Sequence, residues 1–131
     1  MMLDRAGFQD WLDRYVAAWK SYDPKAIGDL FSEDAEYRYQ PWADPVVGRD
    51  AIVADWLKDK DEPGSWSAHY DLWALDGDRA SAIGESRYTN PDGSLKTLYY
   101  NNWTMRFDGH GRCVEFVEYY MELPERLRAG R

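Results

Sequence analysis

The sequence predicts an α+β fold: three N-terminal helices packed on a strongly curved, mixed but mainly antiparallel sheet, forming a cone with an aromatic hollow between the layers. Three observations carry this prediction. Apolar residues recur at steps of three and four through most of the first half of the chain, as in helices that bury one face. From Trp66 onward the period changes to two, and turn sequences rich in Asp, Asn and Gly divide the rest into strands. One of those strands carries small residues along a single face, which a sheet needs where it bends sharply.

The first helix is read from Phe8, Trp11, Leu12, Tyr15, Val16 and Trp19, one apolar stripe over about five turns. Asp23-Pro24 opens the second, since Asp23 suits the free amides of a helix start and Pro24 suits the first helical position. Ile27, Leu30 and Phe31 form its inner face, so the two helices make a hairpin. From Ala35 to Gln40 the alternation of Ala35, Tyr37 and Tyr39 with Glu36, Arg38 and Gln40 predicts a short first strand. Pro41 and Pro45 bracket a loop around Trp42, because proline removes a ladder donor and biases its neighbour to extended backbone. After Gly48 a third helix is expected from Arg49 to about Lys60, burying Ile52, Val53, Trp56 and Leu57 and stopped by Pro63-Gly64.

The remainder reads as a meander of four long strands. Those from about Trp66 to Leu75 and from about Arg79 to Thr89 flank the tight turn Asp76-Gly77-Asp78. Asn90-Pro91-Asp92-Gly93 and Gly109-His110-Gly111 supply the next two turns. In the second of these strands Ala80, Ala82, Gly84, Ser86 and Tyr88 share the small face. The last strand sets Val114, Phe116, Glu118 and Tyr120 against Cys113, Glu115, Val117, Tyr119 and Met121. Both faces are substantially apolar and helices cover only one, so a homodimer through the other face is expected. With no repeat, linker or low-complexity tract, one domain is expected over residues 1–131.

Composition excludes several classes. Apolar residues at 44% and aromatics at 16% of 131 residues suffice for a core and are too rich for disorder. No apolar run approaches the roughly 18 residues that span a bilayer, and the start lacks an export-signal pattern, so a cytoplasmic protein without membrane contact is expected. The one cysteine, Cys113, allows no internal disulfide. A net charge of −8 repels phosphate backbones, so nucleic acid is not an expected partner. No metal-ligand spacing, glycine-rich phosphate loop or nucleophile elbow occurs, so neither a metal nor another cofactor is expected.

Specific stretches then carry a resemblance. Tyr15-Val16-Ala17-Ala18-Trp19, Leu30-Phe31-Ser32-Glu33-Asp34-Ala35, Gly48-Arg49-Asp50-Ala51-Ile52 and Phe107-Asp108-Gly109 with Gly111-Arg112 resemble the nuclear transport factor 2-like (NTF2-like, cystatin-like) superfamily. Within it the chain looks most like the SnoaL-like branch, which includes polyketide cyclases and ketosteroid isomerases. The resemblance covers nearly the whole chain and implies a pocket at the wide end of the cone and, commonly, a homodimer. Tyr15 falls on the helix-one tyrosine that serves ketosteroid isomerases as an oxyanion donor. At the position of their proton-transferring carboxylate stand Tyr39, Gln40 and Pro41, and near their second donor stands Trp103. With no carboxylate at the base position, that reaction is not carried over.

The candidate catalytic residues are Tyr15 and Glu118. Tyr15 is read either as a donor to a developing oxyanion or as a core tyrosine with a satisfied hydroxyl. Glu118 shares a face with Val114, Phe116 and Tyr120, where burial would raise its pKa towards that of a general acid or base; the alternative is a structural pair with an arginine or tyrosine. Trp19, Tyr39, Trp56, Tyr88, Asn101, Trp103, Phe116 and Tyr120 are the candidate ligand contacts, with Tyr37 and Tyr70 among the converging aromatics. An ordinary core would use the same rings, and Asn101 would equally serve local backbone. His69, beside Tyr70 and Asp71, resembles the histidine of dehydratases in this superfamily or is a strand histidine satisfied by a neighbour. Asp59-Lys60-Asp61-Glu62 reads as a solvated helix end. Three functions compete: a cofactor-free isomerase, cyclase or dehydratase for a hydrophobic or aromatic small molecule, a binder without turnover, and a dimeric scaffold whose cavity its own side chains fill.

Overall fold

The computed structural model describes residues 3–131, and among these it holds three α-helices, six strands and a closing 3-10 turn at Glu125–Leu127. Helix α1, Arg5–Ser21, begins where the Asp4 side chain accepts from the Gly7 amide at 2.7 Å. Helix α2, Pro24–Gly28, begins at Asp23, whose carboxylate accepts from the Lys25 amide at 3.1 Å. Both starts use a short acidic side chain to satisfy amides that have no partner inside the helix. Strands β1, Phe31–Arg38, and β2, Val46–Val47, precede helix α3, Arg49–Lys58. The meander follows as β3, Trp66–Asp76; β4, Arg79–Thr89; β5, Leu95–Phe107; and β6, Cys113–Glu122.

These strands form one sheet in the order β2-β1-β6-β5-β4-β3. Every neighbouring pair is antiparallel except β1 and β6, which run parallel. The α+β cone and its mixed sheet therefore stand as the sequence predicts.

Three boundaries differ from expectation. Helix α2 stops at Gly28 and β1 begins at Phe31, not Ala35. Phe31 is fully buried either way, so its apolar character does not choose between helix and strand. Pairing chooses: the Cys113 amide donates to Leu30 O at 2.9 Å, and Phe31 lies opposite Cys113. The loop after Pro41 contains β2, where Val46 and Val47 pair with Tyr37 and Glu36. Helix α3 ends at Lys58 because Asp59 turns to φ −129° and ψ 83°, sending Asp61 back towards α1.

One end of the cone is solid. Phe107 meets the rings of Phe8 and Trp11 edge-on at 5.3 and 5.2 Å, and the Trp11 indole donates to Leu30 O at 3.0 Å. Truncating such a buried ring costs about 3–5 kcal/mol. Further along the same stripe stand Tyr15 and then Trp19, one helical turn apart, and there the cone opens.

The bend of the sheet comes from β4. Ala80, Ala82 and Ser86 are buried on its inner face. At Gly84 a Cβ would lie 2.1 Å from His69 O and 2.8 Å from the Tyr70 Cα, so only glycine permits this approach of β3 to β4. Gln9 ties the helix layer to the β3 edge, donating to Tyr70 O and accepting from the Leu72 amide, both at 2.9 Å. The outer face of the sheet keeps Ile83, Tyr100, Tyr119 and Met121 exposed. No helix among the described residues is long and apolar enough to cross a membrane.

Candidate functional site

The open end of the cone holds a cavity of about 580 Å³, within the roughly 300–1,000 Å³ range of small-molecule sites. Its deep wall is built from Tyr15 of α1, Tyr37 of β1, Tyr70 of β3 and Trp103 of β5, all almost fully buried. Glu118 of β6 lies directly across the ladder from Trp103, so both side chains point inward on the same face.

Two polar groupings stand in this wall. The Tyr15 and Tyr37 hydroxyls are 2.6 Å apart, and burial raises both phenols well above their ordinary pKa. Both stay protonated at neutral pH. One hydrogen joins the two oxygens, leaving the pair with a second O–H to offer. The other grouping crosses four strands: Tyr70 Oη meets Ser86 Oγ at 2.5 Å, Ser86 Oγ donates to Asn101 Oδ1 at 2.8 Å, and Asn101 Nδ2 donates to Glu118 Oε1.

Glu118, half-buried, is the ionisable carboxyl in the inner wall of the site. Burial pushes its pKa up to about 7, against the donation from Asn101 and the nearby indole dipole of Trp103, which favour the ionised form. It therefore divides between acid and carboxylate near neutrality, as a proton-transfer group must. Trp103 Nε1 helps electrostatically but reaches no acceptor with good hydrogen-bond geometry; with Ser32 Oγ it is unpartnered among the buried side-chain atoms described. Trp103 thus brings an unpaired donor to the residues that wall the cavity.

The rim is formed by Trp19, Tyr22, Tyr39, Tyr88, Tyr99 and Tyr120. Trp19 stacks on Trp66 at 3.7 Å and donates to Asp61 Oδ2 at 3.0 Å. Tyr22 receives the Asp61 amide at 2.8 Å, and its hydroxyl faces Asp61 Oδ2 at 3.4 Å. Tyr39 donates to Asp55. Trp56 of α3 packs its ring against Tyr15 at 4.8 Å and lines the same space.

Tyr15, Glu118, Trp19, Tyr39, Trp56, Tyr88, Asn101, Trp103 and Tyr120 thus all line one cavity. Phe116 does not. It is fully buried one layer behind, stacked on Tyr37 at 4.4 Å and on Tyr15 at 5.7 Å, so it supports the phenols and has no face towards the cavity. His69 bonds Asp71 at 2.8 Å on the exposed outer side, so the dehydratase-like position is not formed. Cys113 is buried elsewhere, its thiol pushed up by desolvation.

Sequence reasoning missed two features. The sequence marks Ser86 only as a small residue at the bend, whereas its hydroxyl links Tyr70 to Asn101. The acidic stretch after α3 reads in sequence as a solvated helix end, whereas Asp59 and Asp61 line the mouth with Asp55. Strand parity could have found Ser86, which shares its face with Tyr88. No local signal points to Asp61, whose contacts with Tyr22 span 39 residues.

Comparison with protein families matches residues 12–118 to the SnoaL-like domain. Comparison with curated proteins gives no match. Among solved structures, one described for the epoxide hydrolase/cyclase-like enzyme SalBIII, in pyran ring formation in the polyether salinomycin, superposes with a TM-score of 0.70. It is 16% identical, and the alignment covers 90% of this chain and 93% of the other. At that identity the likeness speaks for the fold.

Proposed function

This chain belongs to the SnoaL-like domain family of the NTF2-like superfamily, and on that premise we propose that its cavity binds a hydrophobic or aromatic small molecule and catalyses a cofactor-independent proton transfer of the isomerase, cyclase or dehydratase kind. One observation carries the reading: a carboxyl with a pKa near 7 faces the same cavity as a paired tyrosine donor. A scaffold has no need of a buried carboxylate there, since the desolvation opposes folding.

The chemistry follows from the groups. Ionised Glu118 takes a proton from a carbon beside a carbonyl; the C–H electron pair becomes the enolate double bond, and the carbonyl π pair moves onto oxygen. The free O–H of the Tyr15–Tyr37 pair and the Trp103 N–H stabilise that oxygen. Protonated Glu118 returns the proton to another atom of the conjugated system, and the carbonyl reforms. The same carboxylate taking the proton of a substrate hydroxyl as its oxygen adds to the β-carbon of a conjugated carbonyl would close a ring: the C=C pair shifts to the enolate, the carbonyl π pair moves onto oxygen, and protonated Glu118 returns the proton to the α-carbon as the carbonyl reforms, in line with the ring formation named for SalBIII. A homodimer through the exposed outer face of the sheet and a cytoplasmic location complete the proposal.

The test is hydrogen exchange. 2-Tetralone, a bicyclic aromatic ketone with acidic α-hydrogens, is incubated in D2O with the protein and followed by proton NMR. Exchange above the buffer rate is expected, reduced about 100-fold in Glu118→Gln. Equal exchange by both proteins, or none above buffer, overturns the catalytic reading; binding without exchange would leave a binder.

A further inference from the structure

We propose that the molecule this cavity accepts carries a positive charge: an organic cation, an amine or quaternary ammonium attached to a hydrophobic or aromatic body, with its nitrogen at the mouth. This rests on the reading of the cavity as a small-molecule site and adds the charge of its substrate.

The described lining contains four carboxyl side chains, Asp55, Asp59, Asp61 and Glu118, and no lysine, arginine or histidine. A carboxylate or phosphate ligand would meet these like charges, with no cation in the lining itself and Lys60 already seated on the Tyr22 ring at the rim. A neutral ligand would gain nothing from three acids at the mouth. These acids are also oriented. Trp19 and Tyr22 hold Asp61, and Tyr39 holds Asp55, so these two carboxylates sit at the edges of aromatic rings. Eight tyrosines and three tryptophans line the space, and such faces attract cations that have been partly stripped of water.

One further observation points the same way. The chain sets a cation of its own at this rim, with Lys60 Nζ 5.7 Å above the Tyr22 ring. A metal ion is the wrong cation, because no three His, Cys, Asp or Glu side chains among the described residues converge closely enough to ligate one. At the deep end the arrangement reverses. Trp103 Nε1 is a buried donor without a partner, and the Tyr15–Tyr37 pair has a hydrogen to give. That end suits an acceptor oxygen, so the ligand has a carbonyl or ether end inside and a cationic end outside.

The experiment uses one skeleton with three charges: 2-aminotetralin, 2-tetralol and tetralin-2-carboxylic acid, titrated against the protein by calorimetry at pH 7.5 and low salt. The amine is expected to bind at least tenfold more tightly than the alcohol and the acid more weakly than either, with the amine's advantage shrinking as salt is raised. Asp59→Asn with Asp61→Asn should bring the amine to within about threefold of the alcohol. If that double variant does not fold, Asp59→Asn alone, on an exposed side chain, is expected to remove part of the advantage. Alcohol or acid binding as tightly as the amine, no binding by any of the three, or variants that weaken alcohol and amine equally each overturn the proposal. The exchange of 2-tetralone is read separately, so the charge preference and the reaction can fail independently.

Discussion

Asn101 donates its side-chain amide to Glu118 Oε1 from one strand away, diagonally across the β5–β6 ladder, where its directly opposed partner is Tyr120. That bond sets the direction of everything behind it. An ionised carboxylate only accepts, so Asn101 must turn Nδ2 towards it and Oδ1 towards Ser86. Ser86 then spends its one hydrogen on Asn101, and Tyr70 donates to Ser86. Four strands each supply one member, and the charge on Glu118 orders them all.

Asn101→Leu removes the donor that favours ionised Glu118. The carboxyl pKa should therefore rise above its present value of about 7, by about one unit for the loss of a charge-assisted bond. Carbon-13 NMR of the labelled glutamate carboxyl measures this directly. An unchanged midpoint would mean that burial alone sets the value.

Glu118 should also make stability pH-dependent. Its folded pKa lies above the ordinary carboxyl value of 4.5, so the folded state holds a proton that the unfolded state releases. The favourable contribution is complete below about pH 4.5 and is lost as pH rises through about 7. The loss is on the order of 3 kcal/mol at most. Relative to wild type, Glu118→Gln should gain stability between pH 5 and pH 8 in urea unfolding. A constant difference across that range would show Glu118 to be solvated.

Tyr15 and Tyr37 act as a unit, since one hydrogen bond orients both hydroxyls. Tyr15→Phe and Tyr37→Phe should each slow 2-tetralone exchange about 10- to 100-fold, and the double variant little more than the worse single one. Strict additivity would mean that the two phenols serve separate purposes.

Gly84→Ala brings a methyl against the backbone of β3 at His69 and Tyr70. Destabilisation of about 1–3 kcal/mol is expected, read as a lower melting temperature. Tyr70 should also lose its place over Trp103, now 4.0 Å between ring centres, which near-ultraviolet circular dichroism would detect.

The fold was legible because its elements announce themselves locally. The α1 stripe from Phe8 to Trp19, the turn at Gly77 and the small face of β4 each lie within a few residues of sequence, and all stand in the structure. The boundary at Phe31 was not legible, because helix and strand bury that ring equally well and only a pairing 82 positions away, with Cys113, decides. The placing of Asn101 and Trp103 on one face of β5 is legible in the period of two. Phe116 obeyed the same parity but lay too near the closed end of the cone to reach the cavity.

By itself the sequence determined the helices and strands, the bend and the candidacy of Glu118, because side-chain period, turn chemistry and helix pitch are properties of neighbouring residues, and its family resemblance singled out Tyr15. Only the tertiary structure decided the site. The relay from Tyr70 to Glu118 depends on the register of β3, β4, β5 and β6, and the acidic mouth depends on Asp61 returning to Tyr22. Register and return are long-range choices, made by the packing of the whole core, and desolvation by that core is what brings the Glu118 pKa near neutrality.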